Sequence, residues 1–269
     1  MIYGDLSRPP LDADALRAAL VGPGSLWTDV VVTPTTSSTN ADLAVAAGQG
    51  APEGTIHTTD HQTAGRGRLD RSWEAPAGSG LAVSVLLRPT RVPASRWVWL
   101  PLLVGLAVDA TVNGFEVEAG LKWPNDVLVG DRKLAGILLE RVETSSGPAA
   151  IVGVGLNVSM REDELPVDAA TSLAIEGASE TDRTIVLRSF LRNLESLYRS
   201  WLASEGDPAA GIRESYMRRC ITLGKRVRVS MPDGGVIEGV ATALDDHGRL
   251  VVGNQAVSAG DVTHVRPIT

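Results

Sequence analysis

Lysine and cysteine are nearly missing from this chain of 269 residues, and each scarcity excludes something. Cys220 is the one cysteine, so no internal disulfide and no multi-cysteine zinc site can form. No apolar run reaches the length of a membrane span. The longest, Trp97–Ala110, is broken by Pro101, Gly105 and Asp109 and reads as a buried helix, so no membrane partner is expected. No basic region followed by an apolar stretch opens the chain, and the expected setting is cytoplasmic. A net charge of −7 argues against a general nucleic-acid binder, which carries an excess of basic residues. The pattern G-x-x-x-x-G-K-S/T is absent, which excludes a Walker A phosphate loop.

What is present supports a folded protein. Hydrophobic residues make up 43% of the chain, enough for a proper core. A short helical pattern, Ala13–Leu20, ends at Gly22-Pro23-Gly24, and Val30–Thr33 reads as a strand. Ser38, Thr39 or Asn40 can cap a helix over Ala41–Ala47. Gly54–Thr59, Leu81–Leu87 and Ala149–Val158 read as strands, and Trp97–Asn113 and Arg183–Leu202 as helices. LKWPNDVLVGDRKLAGILLERV reads as a strand, a Pro-Asn-Asp turn and a hairpin around Gly130-Asp131-Arg132. Character changes near residue 218, where short alternating segments follow: Arg226–Ser230, Val236–Ala243, Leu250–Val252 and Val262–Val265. Their spacing predicts a small β-barrel. Two domains are therefore expected, 1–217 and 218–269.

GRGRLDRSW, residues 65–73, holds three arginines in an acidic chain. Gly65 and Gly67 permit close backbone approach, and Arg66 and Arg68 add guanidinium forks that suit carboxylate or phosphate. Ordering nine backbones costs about 1–2 kcal/mol each, and Leu69 and Trp73 are the only sizeable apolar side chains available to offset it. The stretch therefore predicts a loop that is mobile when empty and ordered by an anion; a plain solvated loop is the competing reading. Further on, KWPND (122–126) and RKLAGIL (132–138) carry two of only three lysines, against 22 arginines. A lysine kept among so many arginines marks a place for a compact point charge, unless chance put it there. Strict alternation puts Lys133 and Ala135 on one face and Leu134 on the other. Asn125 can meet a purine edge, and Asp126 can hold a metal or orient a lysine. His57 and His61 can face one way, but without nearby cysteine they make a poor metal site. Arg218 and Arg219 are expected to form ion pairs.

In combination and order, SSTN (37–40), QTAGRGRLDRSW (62–73), KWPND, DRKLAGIL (131–138) and GVGLNV (153–158) resemble the biotin–protein ligases. The resemblance covers most of residues 30–269 and implies an α+β fold. Its parts are a mixed β-sheet with helices on one side, of class II synthetase type, and a small C-terminal SH3-like β-barrel. It implies an enzyme that activates biotin with ATP and Mg²⁺ as biotinyl-5′-AMP and transfers it to a lysine of a biotin carboxyl carrier protein or domain. Carried over position by position, Ser38, Thr39, Asn40 and Gln62 would meet the biotin head. Gly65, Arg66, Gly67 and Arg68 would cover it, with Trp73 and Gly136 as walls. Lys133, Arg66 and Arg68 would be catalytic. Arg68, Arg71, Lys122, Asn125, Asp126 and Asn157 would lie toward the nucleotide, and no protein metal ligand is implied. A monomer or weak homodimer is expected. A lipoate or octanoate ligase is the nearest alternative. A biotin-responsive DNA-binding repressor is disfavoured, because the 37 residues before Ser38 are too few for a helix-turn-helix domain. One prediction follows from the loop alone: trypsin should cut after Arg66 and Arg68 more slowly once biotin and ATP are added, and equal cleavage would remove the flap reading.

Overall fold

Ser38 makes the first decisive turn of the chain. In the computed structural model, which describes residues 8–69, 71–231, 234–258 and 260–265, strand β1 (Asp29–Thr36) runs almost directly into helix α2 (Thr39–Gly48). The Ser38 hydroxyl accepts from the Ala41 amide and closes the helix start. Before them, α1 (Ala13–Leu20) is capped by the Asp12 carboxylate. β2 (Thr55–Gln62) leads into a small hairpin, β3 (Gly65–Arg66) and β4 (Ser72–Trp73), and then into β5 (Gly80–Leu87). Asp70 of the arginine loop lies outside the described residues.

A 3₁₀ turn, Ala94–Trp99, leads into α3 (Leu100–Asn113), with Pro101 in the first turn, where its missing N–H costs nothing. Together Ala94–Asn113 is long and apolar enough to cross a membrane, contrary to the expectation from the shorter apolar run. Burial of 72% of its most apolar window makes it a core helix. β6 (Gly120–Lys122), β7 (Asp126–Val129), β8 (Arg132–Thr144) and β9 (Gly147–Asn157) follow. After them come α4 (Arg183–Ala203) and α5 (Ile212–Arg219).

The first nine strands, less the β3–β4 hairpin, form a mixed sheet in the order β1-β2-β5-β9-β8-β7-β6, in which only β1 and β2 run parallel. Its faces follow from register. Val83 pairs Val154 and Val85 pairs Val152, and these residues belong to the large core with α1, α3 and α4. Leu86 pairs Ile151, and both pack on the opposite face in a separate cluster with Leu43 and Ala47 of α2. Helices therefore cover both faces, not one. The single helix α2 covers only part of its face and leaves the rest open beside its N-terminus.

The C-terminal strands β10 (Arg226–Ser230), β11 (Val236–Leu244), β12 (Leu250–Val252), β13 (Gln255–Val257) and β14 (Asp261–His264) form an SH3-like antiparallel sheet. Its ladder runs from β13 to β14 without closing among the described residues. β13 escapes the sequence pattern because only Val257 of its three residues is buried. This sheet shares one core with the larger one. Trp99 and Trp123 reach across and donate to the Asp246 and Gly248 carbonyls, each at 3.0 Å.

Arg218 and Arg219 do form ion pairs, Arg218 with Glu214 and Arg219 with Asp109. Asp109 is buried in the middle of α3. Arg219 grips it from α5 with two hydrogen bonds of 2.8 and 2.9 Å and adds one to the Ala119 carbonyl. Asp109→Ala leaves that guanidinium without its bidentate partner. It is expected to lower unfolding stability by about 2 kcal/mol, toward the low end for a broken buried pair because Arg219 is half-exposed. A urea midpoint unchanged from the parent would refute this role.

Candidate active site

The open part of the sheet face is nearly bare of side chains. Register aligns Ala82, Gly155, Gly136 and Asp126 across β5, β9, β8 and β7, with Lys122 opposite Asp126 on β6. One row along, Ser84 faces Gly153, which faces Leu138. A Cβ at Gly155 would overlap the Trp73 indole, and one at Gly153 would overlap the Asn40 amide. These glycines therefore let Trp73 and Asn40 sit directly on the backbone. The GVGLNV motif carries the signal, but only the pairing of β8 with β9 reveals what it is for.

The N-terminus of α2 supplies the polar end. The Thr39 amide donates to Gln62 Oε1 at 3.0 Å, and Thr39 Oγ1 stands 3.2 Å from the same oxygen. Ser84, fully buried, places its hydroxyl 2.7 Å from Thr39 Oγ1 and 2.6 Å from Asn40 Oδ1. Asn40 Nδ2 donates to Glu140 at 2.7 Å. Three oxygen–oxygen contacts thus share the two hydroxyl protons of Ser84 and Thr39. This end has more acceptors than donors.

Cations hold the other end. Lys133 Nζ lies 2.7 Å from Asp126 and 5.6 Å from the centre of the Trp73 ring. Alternation would have sent Lys133 to the same face as Ala135. Instead β8 bulges against β7, with Leu128 opposite Lys133 and Val127 opposite Ala135. The extra residue turns the lysine toward the cleft and leaves Ala135 in the core. Arg68 donates to Asn125 Oδ1 at 3.1 Å. Burial pulls its guanidinium below the ordinary arginine value, against the opposing fields of Asp126 and Asp261. Asn125 in turn donates to the Ile137 carbonyl, which fixes its amide.

The arginine loop is folded over this cleft. Gly65 pairs Trp73, Arg66 pairs Ser72, and the Gly67 amide donates to the Arg71 carbonyl. Protein carboxylates stand where an external anion was expected: Glu140 takes Arg66 at 3.2 Å, and Asp261 of β14 takes Arg71 through both oxygens. The Asp261 hydrogen bond holds the Arg71 guanidinium above its usual value.

Of the residues singled out from the sequence, Ser38, Thr39, Asn40, Gln62, Arg66, Gly67, Arg68, Arg71 and Trp73 line the one cleft. So do Lys122, Asn125, Asp126, Lys133 and Gly136. Two do not. Gly65 is buried beside it, where a Cβ would overlap Gln62 and the Trp73 carbonyl. The Asn157 side chain is also buried and donates to the Thr171 carbonyl at 2.8 Å, bracing the segment whose Thr171 amide donates to the Lys133 carbonyl. Through Thr171 it is linked to the backbone of Lys133. Ser84, Glu140, Gly153, Gly155 and Asp261 were not anticipated. His57 bonds Thr33 and lies 3.7 Å from Asp42, and burial lowers its pKa. Among the described residues no three metal-ligating side chains converge.

Comparison with known proteins places these features in context. Residues 32–157 match the model of the biotin/lipoate A/B protein ligase family, and 222–265 that of the biotin protein ligase C-terminal domain. The chain is 44% identical to the biotin–[acetyl-CoA-carboxylase] ligase of Mycobacterium tuberculosis, over 97% of this chain and 98% of that one. It is 34% identical to the bifunctional ligase/repressor BirA of Bacillus subtilis, over 88% of this chain and 71% of that one. Among solved structures, the biotin protein ligase from Aquifex aeolicus in complex with biotin and ATP superposes with a TM-score of 0.74 at 27% identity. That alignment covers 89% of this chain and all of the other.

Gly155→Ala tests the floor. The added methyl must displace the Trp73 indole, so small-molecule binding in the cleft should weaken by about tenfold or more with an unchanged fold. Unaltered affinity together with unaltered tryptophan fluorescence would contradict the packing described.

Proposed function

The chain belongs to the biotin/lipoate A/B protein ligase family and is a biotin–protein ligase, and from that premise we propose how its cleft divides the reaction. Biotin and ATP are the substrates. The carboxylate oxygen of biotin attacks the α-phosphorus of ATP, the bond to the β-phosphate breaks, and pyrophosphate leaves. A lysine amine of the acceptor, which we take to be a biotin carboxyl carrier domain, then attacks the acyl carbon. The bond to phosphate breaks, AMP departs, and the amine gives up its proton.

Two anions must meet in the first step. Lys133 and Arg68, which both line the cleft, are suited to offset that repulsion and the charge that develops on the phosphate. Mg²⁺ carried by ATP would supply further neutralisation of the polyphosphate. Lys122, Asn125 and Asp126 are assigned to the nucleotide side. Covalent chemistry asks little of the protein, so positioning dominates. The folded arginine loop, with Trp73 as its foot, keeps water from the mixed anhydride. Asn157 is given a bracing role beside the nucleotide set, since its amide donates to the Thr171 carbonyl. Residues 1–217 are taken as the ligase unit and 218–269 as the SH3-like unit. The large sheet lies within Asp29–Asn157 and the small one within Arg226–His264, which supports that division. We place the enzyme in the cytoplasm, as a monomer or weak homodimer without a nucleic-acid partner; the acidic net charge favours the last point.

The observation that separates biotin from lipoate or octanoate is the shortage of protons around Thr39, Ser84 and Gln62. A urea head brings N–H donors that such an acceptor-rich end requires, whereas a dithiolane or an alkyl chain brings none. Exchange of labelled pyrophosphate into ATP is therefore expected with biotin and not with lipoate or octanoate; equal exchange with octanoate would overturn the assignment. In the same assay Lys133→Ala should lose about 100-fold or more in rate, as removal of a donor to developing charge does elsewhere. Parental exchange by that variant would refute the role of Lys133.

A further inference from the structure

Glu140 is assigned no part in the reaction so far, yet two halves of the site converge on it. It lies on β8 two residues past Leu138, on the face where Gly136 and Gly153 form the floor. Its Oε2 accepts from Asn40 Nδ2 at 2.7 Å and from Arg66 of the loop at 3.2 Å. Asn40 is buried and Glu140 is about one-third exposed, so a single carboxylate oxygen joins a buried amide to a loop guanidinium.

The direction of a hydrogen-bond chain is set at its end. A carboxylate accepts only, so Asn40 turns its NH₂ toward Glu140 at 2.7 Å, with a longer contact of 3.5 Å to the Leu138 carbonyl, and its Oδ1 toward Ser84. Ser84 must then spend its single proton on Asn40. Thr39 must in turn donate to Ser84, at 2.7 Å, because Ser84 has no proton left for it. The weakest contact, Thr39 Oγ1 to Gln62 Oε1 at 3.2 Å, is left without a proton. Two acceptors therefore face the cleft, in the arrangement that receives an N–H donor. Reversing the Asn40 amide would reverse the chain: Ser84 would accept from Asn40, freeing its own proton for Thr39 and Thr39's for Gln62, and no unfilled acceptor pair would remain.

We propose that Glu140 is a positioning residue that fixes the direction of this chain, and so the recognition of the biotin urea, while its charge latches the loop through Arg66. Head-group recognition and loop closure are thereby tied to a single carboxylate. The proposal rests on the biotin reading given above.

Calorimetric titration of the full-length parent, Glu140→Ala and Glu140→Gln with biotin, and separately with ATP, tests it. Glu140→Ala should weaken biotin binding about tenfold or more, as expected for loss of a hydrogen bond to a charged group, with ATP affinity and melting temperature near parental. Glu140→Gln keeps a carbonyl for Asn40 but no charge for Arg66. It should hold biotin within about threefold of the parent and still release biotinyl-5′-AMP into solution faster. Parental biotin affinity in Glu140→Ala would overturn the proposal. So would equal weakening in both variants, or an ATP affinity that falls in proportion. If the parent itself binds no biotin, the reading of the substrate fails, and that result is distinct from any difference among the variants.

Discussion

A strip of backbone without side chains governs this molecule. Where β8 and β9 pair through Gly136 and Gly155, with Gly153 one row along, the sheet presents amide groups and nothing else to the cleft. Trp73 lies against that strip and Lys133 reaches over it, while Asn40 presses on Gly153. Each contact depends on a missing Cβ, so the side chains that line the cleft rest directly on the strand backbone. Such a surface is unstable in isolation, since glycine pays more conformational entropy than any other residue when it is ordered in a strand. Here the cost is offset by the opposite face, where the flanking valines and leucines of the same strands are buried against α3 and α4.

How much of this was legible in the sequence depends on the range of the interaction that fixed it. Ser38 as a helix cap, the length of α4, and the helical pattern of α1 are local matters of spacing and capping, and the structure agrees with them almost to the residue. Lys133 shows where local reasoning stops. Its identity as a site residue was readable from its rarity and from the family resemblance, but its direction was not. Alternation put it on the same face as Ala135, and only the pairing of β8 with β7 contains the bulge that separates the two. The same holds for Asn157, whose carboxamide is as suited to a purine as to a backbone carbonyl until Thr171 is brought beside it. Asp261 and Glu140 sit in unremarkable contexts and gain meaning only from a loop 190 and 74 residues away.

The two sheets also share more than a linker. Trp99 and Trp123 anchor the turn at 246–248 of the small sheet, and Asp261 on its edge strand holds Arg71 of the loop. The loop therefore bridges the two units, with Trp73 seated on the large sheet and Arg71 tied to the small one. Movement of one relative to the other would be felt at the mouth of the cleft. This gives the C-terminal strands a mechanical connection to the site through a side chain that the arginine-rich motif alone would have assigned to ligand.

The pairing of Lys133 with Asp126 has a further chemical consequence. A mixed anhydride acylates whatever free amine it meets, and the enzyme that makes it is the nearest protein. Lys133 stands 2.7 Å from the Asp126 carboxylate, and an amine engaged as an ammonium in such an ion pair has no lone pair with which to attack an acyl group. Beyond it the chain carries only Lys122 and Lys225 as other side-chain amines, and Lys225 sits against His264. The positive charge elsewhere is carried by guanidinium groups, which are far poorer nucleophiles. Positive charge in this chain is thus carried almost wholly by groups that an acyl phosphate modifies poorly.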